Sequence, residues 1–183
     1  MVNLKKSHDL GNGPFPDTPE EIFSEIGCRL VLLQDLEMLL TFVTKVVFEQ
    51  SPEKAKEAIL QSDNKTMGQL LQLLRKKIEI KDSFDETLKR TLEARNIFVH
   101  EFSHTYNLRS EDGIEQAIQF LLKSMDDLEE VSNLLKAVVI VNGREKGVFD
   151  QDFELNWREY GDLDLLEKTH IPKVATTFSK RGK

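Results

Sequence analysis

The chain carries one cysteine, Cys28, in 183 residues. It cannot close a disulfide within itself, and it lacks the thiolates that cysteine-rich zinc sites require. Proline and glycine are also scarce, at 5 and 9 residues, so helices can run far before a breaker stops them. No stretch is apolar enough for a membrane span: the most apolar run, residues 30–48, is interrupted by Gln34, Asp35, Glu37 and Lys45. The opening MVNLKKSHDLGNGPFPD holds no apolar core of signal-peptide length. A cytoplasmic protein in a reducing compartment, without membrane attachment, is expected. Positive charge is in deficit as well, with 25 Lys and Arg against 32 Asp and Glu and a net charge of −7. Nonspecific binding to phosphate draws on clustered cations, so this balance argues against a general nucleic-acid coat and leaves room only for a local basic site. Internal repeats and low-complexity segments are missing.

What is present is helical periodicity. Thr18, Pro19 and Glu21 have the pattern of a cap, a first-position proline and an acidic first turn, and open a helix expected to reach about Gln50. Ile22, Ile26, Leu30, Leu33, Leu36, Leu40, Val43 and Val47 give it one stripe. Phe23, Leu32, Leu39, Phe42 and Val46 widen that stripe beyond what one neighbour covers, as in a central bundle helix or half of a dimer interface. Ser51 and Pro52 restart the chain as a short helix to about Gln61. Thr66 and Gln69 form a capping box for a helix through Ile78. That helix ends in Arg75, Lys76 and Lys77, followed by Lys81, which either complement a helix C-terminus or form a phosphate-facing rim.

Ser83 and Glu86 suggest a second capping box, opening a helix to Tyr106. After a turn at 107–110 a further helix is expected to about Val141, with Asn142 and Gly143 as its stop. Beyond Arg144 the periodicity weakens. Phe153, Trp157 and Tyr160 suggest a short helical piece, and THIPKVATTFSKRGK reads as a mobile end. The expected architecture is an all-α antiparallel up-and-down bundle of four main helices plus a short one, with an irregular C-terminal appendage. Its divisions are a leader at 1–17, the bundle at 18–143, and the appendage and mobile tail at 144–183.

The chemistry concentrates in residues 83–106, SFDETLKRTLEARNIFVHEFSHTY. Two patterns overlap there. His100, Glu101 and His104 have the H-E-x-x-H spacing that puts two imidazoles on one helix face to hold zinc, with Glu101 to activate the bound water. A catalytic zinc needs a third protein ligand; Glu129 and Glu130 are available, but no motif singles them out. The other pattern is Arg95, Asn96 and His100. On an ideal helix Asn96 and His100 are about 40° apart, whereas Arg95 and His100 diverge by about 140°.

The segment ARNIFVHEF in an all-helical setting resembles the HEPN family (higher eukaryotes and prokaryotes nucleotide-binding domains), Arg95, Asn96 and His100 matching its arginine, the polar residue after it and its histidine. The resemblance spans roughly residues 19–141. It implies a bundle that pairs as a homodimer through two motif helices, often acting as a metal-independent endoribonuclease of toxin or antiviral systems, with RNA or a nucleotide and a cognate antitoxin as partners and no cofactor. The products it implies are a 2′,3′-cyclic phosphate and a 5′-hydroxyl. Arg95, Asn96 and His100 are then the catalytic candidates, and Lys89, Arg90, His104 and Tyr106 the substrate-binding candidates. A non-catalytic module that binds nucleotide or protein through the same groove is the alternative, and the zinc hydrolase is a remoter one. The 140° divergence also suggests that Arg95 of one subunit works beside His100 of another.

Overall fold

The computed structural model describes residues 19–49, 65–147 and 163–180. Its architecture is all-α. Helix α1 (Pro19–Phe42) continues into a π-helical turn, Val43–Val47, and α2 (Met67–Lys77) leads directly into a short strand, β1 (Ile78–Ile80). Helix α3 (Asp82–Asn96) passes through a second π-helical turn, Ile97–Glu101, into α4 (Phe102–Thr105). The long α5 (Glu111–Glu145) follows, and then α6 (Leu163–Thr169), α7 (Ile171–Thr177) and β2 (Phe178–Lys180).

Heptad-like apolar spacing sets the packing. Leu33, Leu36, Leu40, Val43 and Val47 of the first helix meet Leu70, Leu71 and Leu74 of α2, Phe84 and Leu88 of α3, and Leu128, Val131, Leu135 and Val138 of α5 in one core. A second cluster gathers Ile22, Phe102, Ala117 and Leu121 at the other end. Phe102 therefore lies near the start of α1, while Arg95, a turn or two earlier, reaches Glu37 far along it. Helix α3 thus runs opposite to α1. It also runs opposite to α5, since Arg90 pairs with Asp127 while Phe102 packs on Ala117 and Leu121. Helix α2 runs opposite to α3 as well, since Arg75 near its end pairs with Asp85 near the start of α3 while Gly68 lies against Leu92. In this all-α bundle α1, α2 and α5 therefore share one direction and α3 takes the other.

The capping box at Thr66 and Gln69 forms as expected, with Thr66 N–H donating to Gln69 Oε1 at 3.0 Å. The one expected at Ser83 does not. Helix α3 begins at Asp82, because Lys81 still belongs to the strand connection: its N–H donates to the Thr177 carbonyl at 2.9 Å, one step beyond the Ile80–Phe178 pair, and the helix starts directly after it. Asp82 and Asp85 still place negative charge in the first turn. Asn142 and Gly143 do not stop α5. It continues to Glu145, and Gly147 closes it in the left-handed region at φ 66°. The leader, the helix expected at 52–61 and the aromatic piece at 153–160 lie outside the described residues.

The end of the chain departs most from expectation. Residues 163–180, where the sequence suggests an irregular appendage with one more helical turn at about 162–168 and then a mobile end, form two short helices and a strand. β2 pairs antiparallel with β1, Ile80 opposite Phe178, and Phe178 sets its ring edge-on to Phe84 with centroids 5.5 Å apart. The sequence signal was weak because both strands are only three residues long and their partner lies about a hundred residues away. A polar clasp adds to this apolar contact. His170, buried, brings Nε2 to 2.9 Å from Glu130 Oε2, while Lys173 Nζ donates to Glu130 Oε1 at 3.0 Å. Burial pushes the Glu130 carboxyl up, but hydrogen bonds and charge from Lys173 and His170 outweigh it and hold the group below its ordinary value. A depressed carboxyl stabilises the fold fully above the unfolded value, near 4.5, and loses that contribution as pH falls through the folded one. Glu130→Gln is therefore expected to unfold at lower urea than wild type at pH 7, with the gap closing below about pH 4. A gap that persists unchanged at pH 3 counts against the clasp.

Candidate functional site

The two readings of the motif depend on how the helix is wound, and the winding is not uniform. Between Ile97 and Glu101 the backbone bonds i→i+5. That pattern adds a residue to the turn, so side chains five apart stack above one another where an α-helix would set them well apart. Arg95 and His100 are such a pair. Arg95 Nη1 lies 3.3 Å from His100 Nε2 in one chain, which corrects the expectation that helical geometry separates them. The same Nη1 is 3.5 Å from Asn96 Oδ1.

The partners assign roles to the nitrogens. A guanidinium only donates, so His100 Nε2 must face it with a lone pair, the form in which an imidazole can take a proton. On its other side Arg95 Nε donates to Glu37 Oε1 of α1 at 3.0 Å. Glu37 thus grips the guanidinium by Nε, while Nη1 faces His100 and Asn96. A guanidinium so held keeps the charge and planar donors that suit phosphate oxygens. His100 and Asn96 are exposed, and Arg95 is half-buried, so the group is open to a large ligand.

Beside Arg95 runs a shallow cleft lined by Arg29, Leu33, Thr91, Phe98 and Leu128. Arg29 carries no sequence signal of a role here, since it occupies a position on α1 that the stripe marks as core. It is buried, pairs with Glu25, and donates to the Leu121 carbonyl through Nε at 3.4 Å, tying α1 to α5. An arginine one turn from two leucines gives no sequence sign of this.

The remaining candidates do not gather round Arg95. Lys89 pairs with Asp85 at 3.2 Å. Arg90 makes a two-pronged pair with Asp127, donating at 2.8 Å through Nε and 2.7 Å through Nη2, and these hydrogen bonds to the carboxylate raise its pKa further. Arg75 and Lys77 of the basic end of α2 pair likewise with Asp85 and Glu49. Tyr106 stacks on Phe102 and Phe120, with centroids 5.0 and 5.4 Å away, and burial pushes its phenol up. His104 is exposed on α4, beyond the π-helical turn. Among the described residues no three His, Cys, Asp or Glu side chains come together to hold a metal ion. Glu130, one of the two carboxylates open to the zinc reading, is committed to His170 and Lys173.

Comparison with protein-family models, with curated proteins and with solved structures gives no match. Among the described residues no helix is long and apolar enough to cross a membrane.

Proposed function

We propose that the chain is a HEPN-like, metal-independent endoribonuclease of the toxin or defence type, working as a homodimer and restrained by a cognate antitoxin. The observation that carries this reading is the 3.3 Å approach of Arg95 Nη1 to His100 Nε2, made by a π-helical turn at the motif. π-Helical turns are disfavoured and recur at functional sites. In the proposed reaction His100 takes the proton from a ribose 2′-hydroxyl and the 2′-oxygen attacks the adjacent phosphorus. The bond to the 5′-oxygen breaks, that oxygen takes a proton from water as it leaves, and the protonated His100 returns its own to solvent. The products are a 2′,3′-cyclic phosphate and a 5′-hydroxyl. Arg95 holds the nonbridging oxygens as charge grows on them, and Asn96 orients the phosphate or the ring.

Glu37 supports a second reading. Its carboxylate already partners Arg95, as expected of a non-catalytic module that binds nucleotide or protein through the same groove. One experiment separates the two. The purified protein is incubated with mixed RNA in excess chelator, and the fragment ends are typed. Cleavage leaving cyclic phosphate and 5′-hydroxyl ends is the expected result. Intact RNA across many sequences, with nucleotide or RNA still bound, selects the binding module.

A further inference from the structure

Helix α1 turns a large apolar stripe to solvent. Phe23, Leu30, Val31, Met38 and Phe42 are exposed by 60%, 41%, 52%, 67% and 42%. At about 100° per residue, Gly27 and Gln34 fall on the same side, opposite the buried Arg29, Leu36 and Leu40. Gly27 has no packing reason within the described residues: a Cβ placed on it meets nothing within 4 Å. A glycine inside a helix weakens it relative to alanine, so this one points to something outside that needs the space.

Phe42 aside, the stripe is arranged symmetrically about the midpoint between Leu30 and Val31. Phe23 precedes that midpoint by as much as Met38 follows it. Gly27 and Gln34 are related in the same way, and so are Leu30 and Val31. A two-fold axis there, relating two antiparallel copies of α1, would set each member of a pair against the other: Phe23 on Met38, Leu30 on Val31, and the long Gln34 over the gap at Gly27. Weighted by exposure, the five apolar side chains offer roughly 500 Å² of surface, near the upper range for the largest patch of a monomer. Two copies bring roughly 1,000 Å², about the apolar share of a standard homodimer interface of ~1,600 Å². We infer that this face of α1 is where a second copy of the chain docks, antiparallel, about an axis between Leu30 and Val31.

Size, large-small matching and symmetry favour a second copy over an unrelated partner, because only an isologous contact needs a stripe that complements itself. The pairing differs from one through the motif helices, which the family resemblance implies, and it does not depend on RNA cleavage. The test is the solution mass of the full chain by sedimentation velocity at tens of micromolar. Wild type is expected to be a dimer. Met38→Glu, which places a carboxylate against Phe23 of the other copy, is expected to raise the dimer dissociation constant on the order of 100-fold. Phe23→Lys added to Met38→Glu is expected to recover much of that loss, because residues 23 and 38 meet across the axis twice. Circular dichroism checks that helix content is unchanged in both variants, which alter exposed positions only. A monomeric wild type overturns the inference and assigns the face to a different protein or to another segment of this chain. A dimer indifferent to Met38→Glu, or a loss that Phe23→Lys does not recover, overturns it equally.

Discussion

His100→Ala is expected to lower RNA cleavage by about 10²–10⁴-fold, the range for loss of a general acid or base, with the thermal transition unchanged. The fold is expected to be indifferent because His100 is exposed and contacts only Arg95 among the hydrogen bonds seen. Arg95→Ala should cost about 10²–10³-fold, as for loss of one group that stabilises growing negative charge. Its effect on stability should stay within about 1 kcal/mol, since the pair with Glu37 is partly exposed. Glu37→Gln tests whether that carboxylate positions the guanidinium or blocks it. If it positions, kcat falls while the fold and the RNA affinity hold; if it blocks, affinity rises and kcat does not fall. Mixing Arg95→Ala with His100→Ala subunits should recover nothing, since each chain supplies both side chains at 3.3 Å. Recovered cleavage in verified heterodimers would put the pair across the interface instead. Loss of cleavage only in variants that also unfold would sink the catalytic role itself.

The expectation of a site shared between subunits rested on a regular helix, and at the motif the helix is not regular. Period and caps are written in side chains, which is why α1, α2, α3 and α5 were legible: their apolar residues recur on one face and few breakers intervene. A π-helical turn has no such signature. IFVHE contains no proline or glycine, and its five residues are compatible with α-helix. What imposes the extra residue is tertiary: Phe98 and Phe102 pack edge-on at 5.5 Å, and Phe102 must also reach Ile22, Ala117 and Leu121. The bundle ahead of the turn and the aromatic cluster after it each fix a register, and the turn absorbs the mismatch. The same reasoning covers the C-terminal strand, whose partner β1 could not be found from three residues alone, and Arg29, whose burial depends on a carbonyl of another helix. Residue types at the site were readable from the sequence. Their convergence was not.

Gly113→Ala is expected to destabilise the chain by about 1–3 kcal/mol, the usual cost of overpacking, although glycine to alanine in a helix interior normally gains up to about 1 kcal/mol. The sign reverses because of what lies over the residue. Gly113, buried in the first turn of α5, would place a Cβ well inside the Asn107 carbonyl oxygen and 2.7 and 2.9 Å from the Asn107 carbonyl carbon and nitrogen. These are backbone atoms of the turn that caps α5, where Ser110 Oγ donates to the Asn107 carbonyl at 3.1 Å and accepts from Gly113 N–H at 3.2 Å. They cannot rotate aside as a side chain could. Relief requires moving the turn, and with it Tyr106, which packs on Phe102 at the far end of the π-helical turn, and Leu108, which packs on the same cluster. Gly68 in α2 serves as the control: its added Cβ would lie 3.7 Å from Leu92, an ordinary contact, so Gly68→Ala is expected to hold or raise Tm. For a domain of this size the cost at Gly113 corresponds to a fall of roughly 3–10 °C. Thermal unfolding of both variants decides the matter, and a Gly113→Ala protein that melts at or above wild type would mean that the turn is free to move and does not anchor the motif.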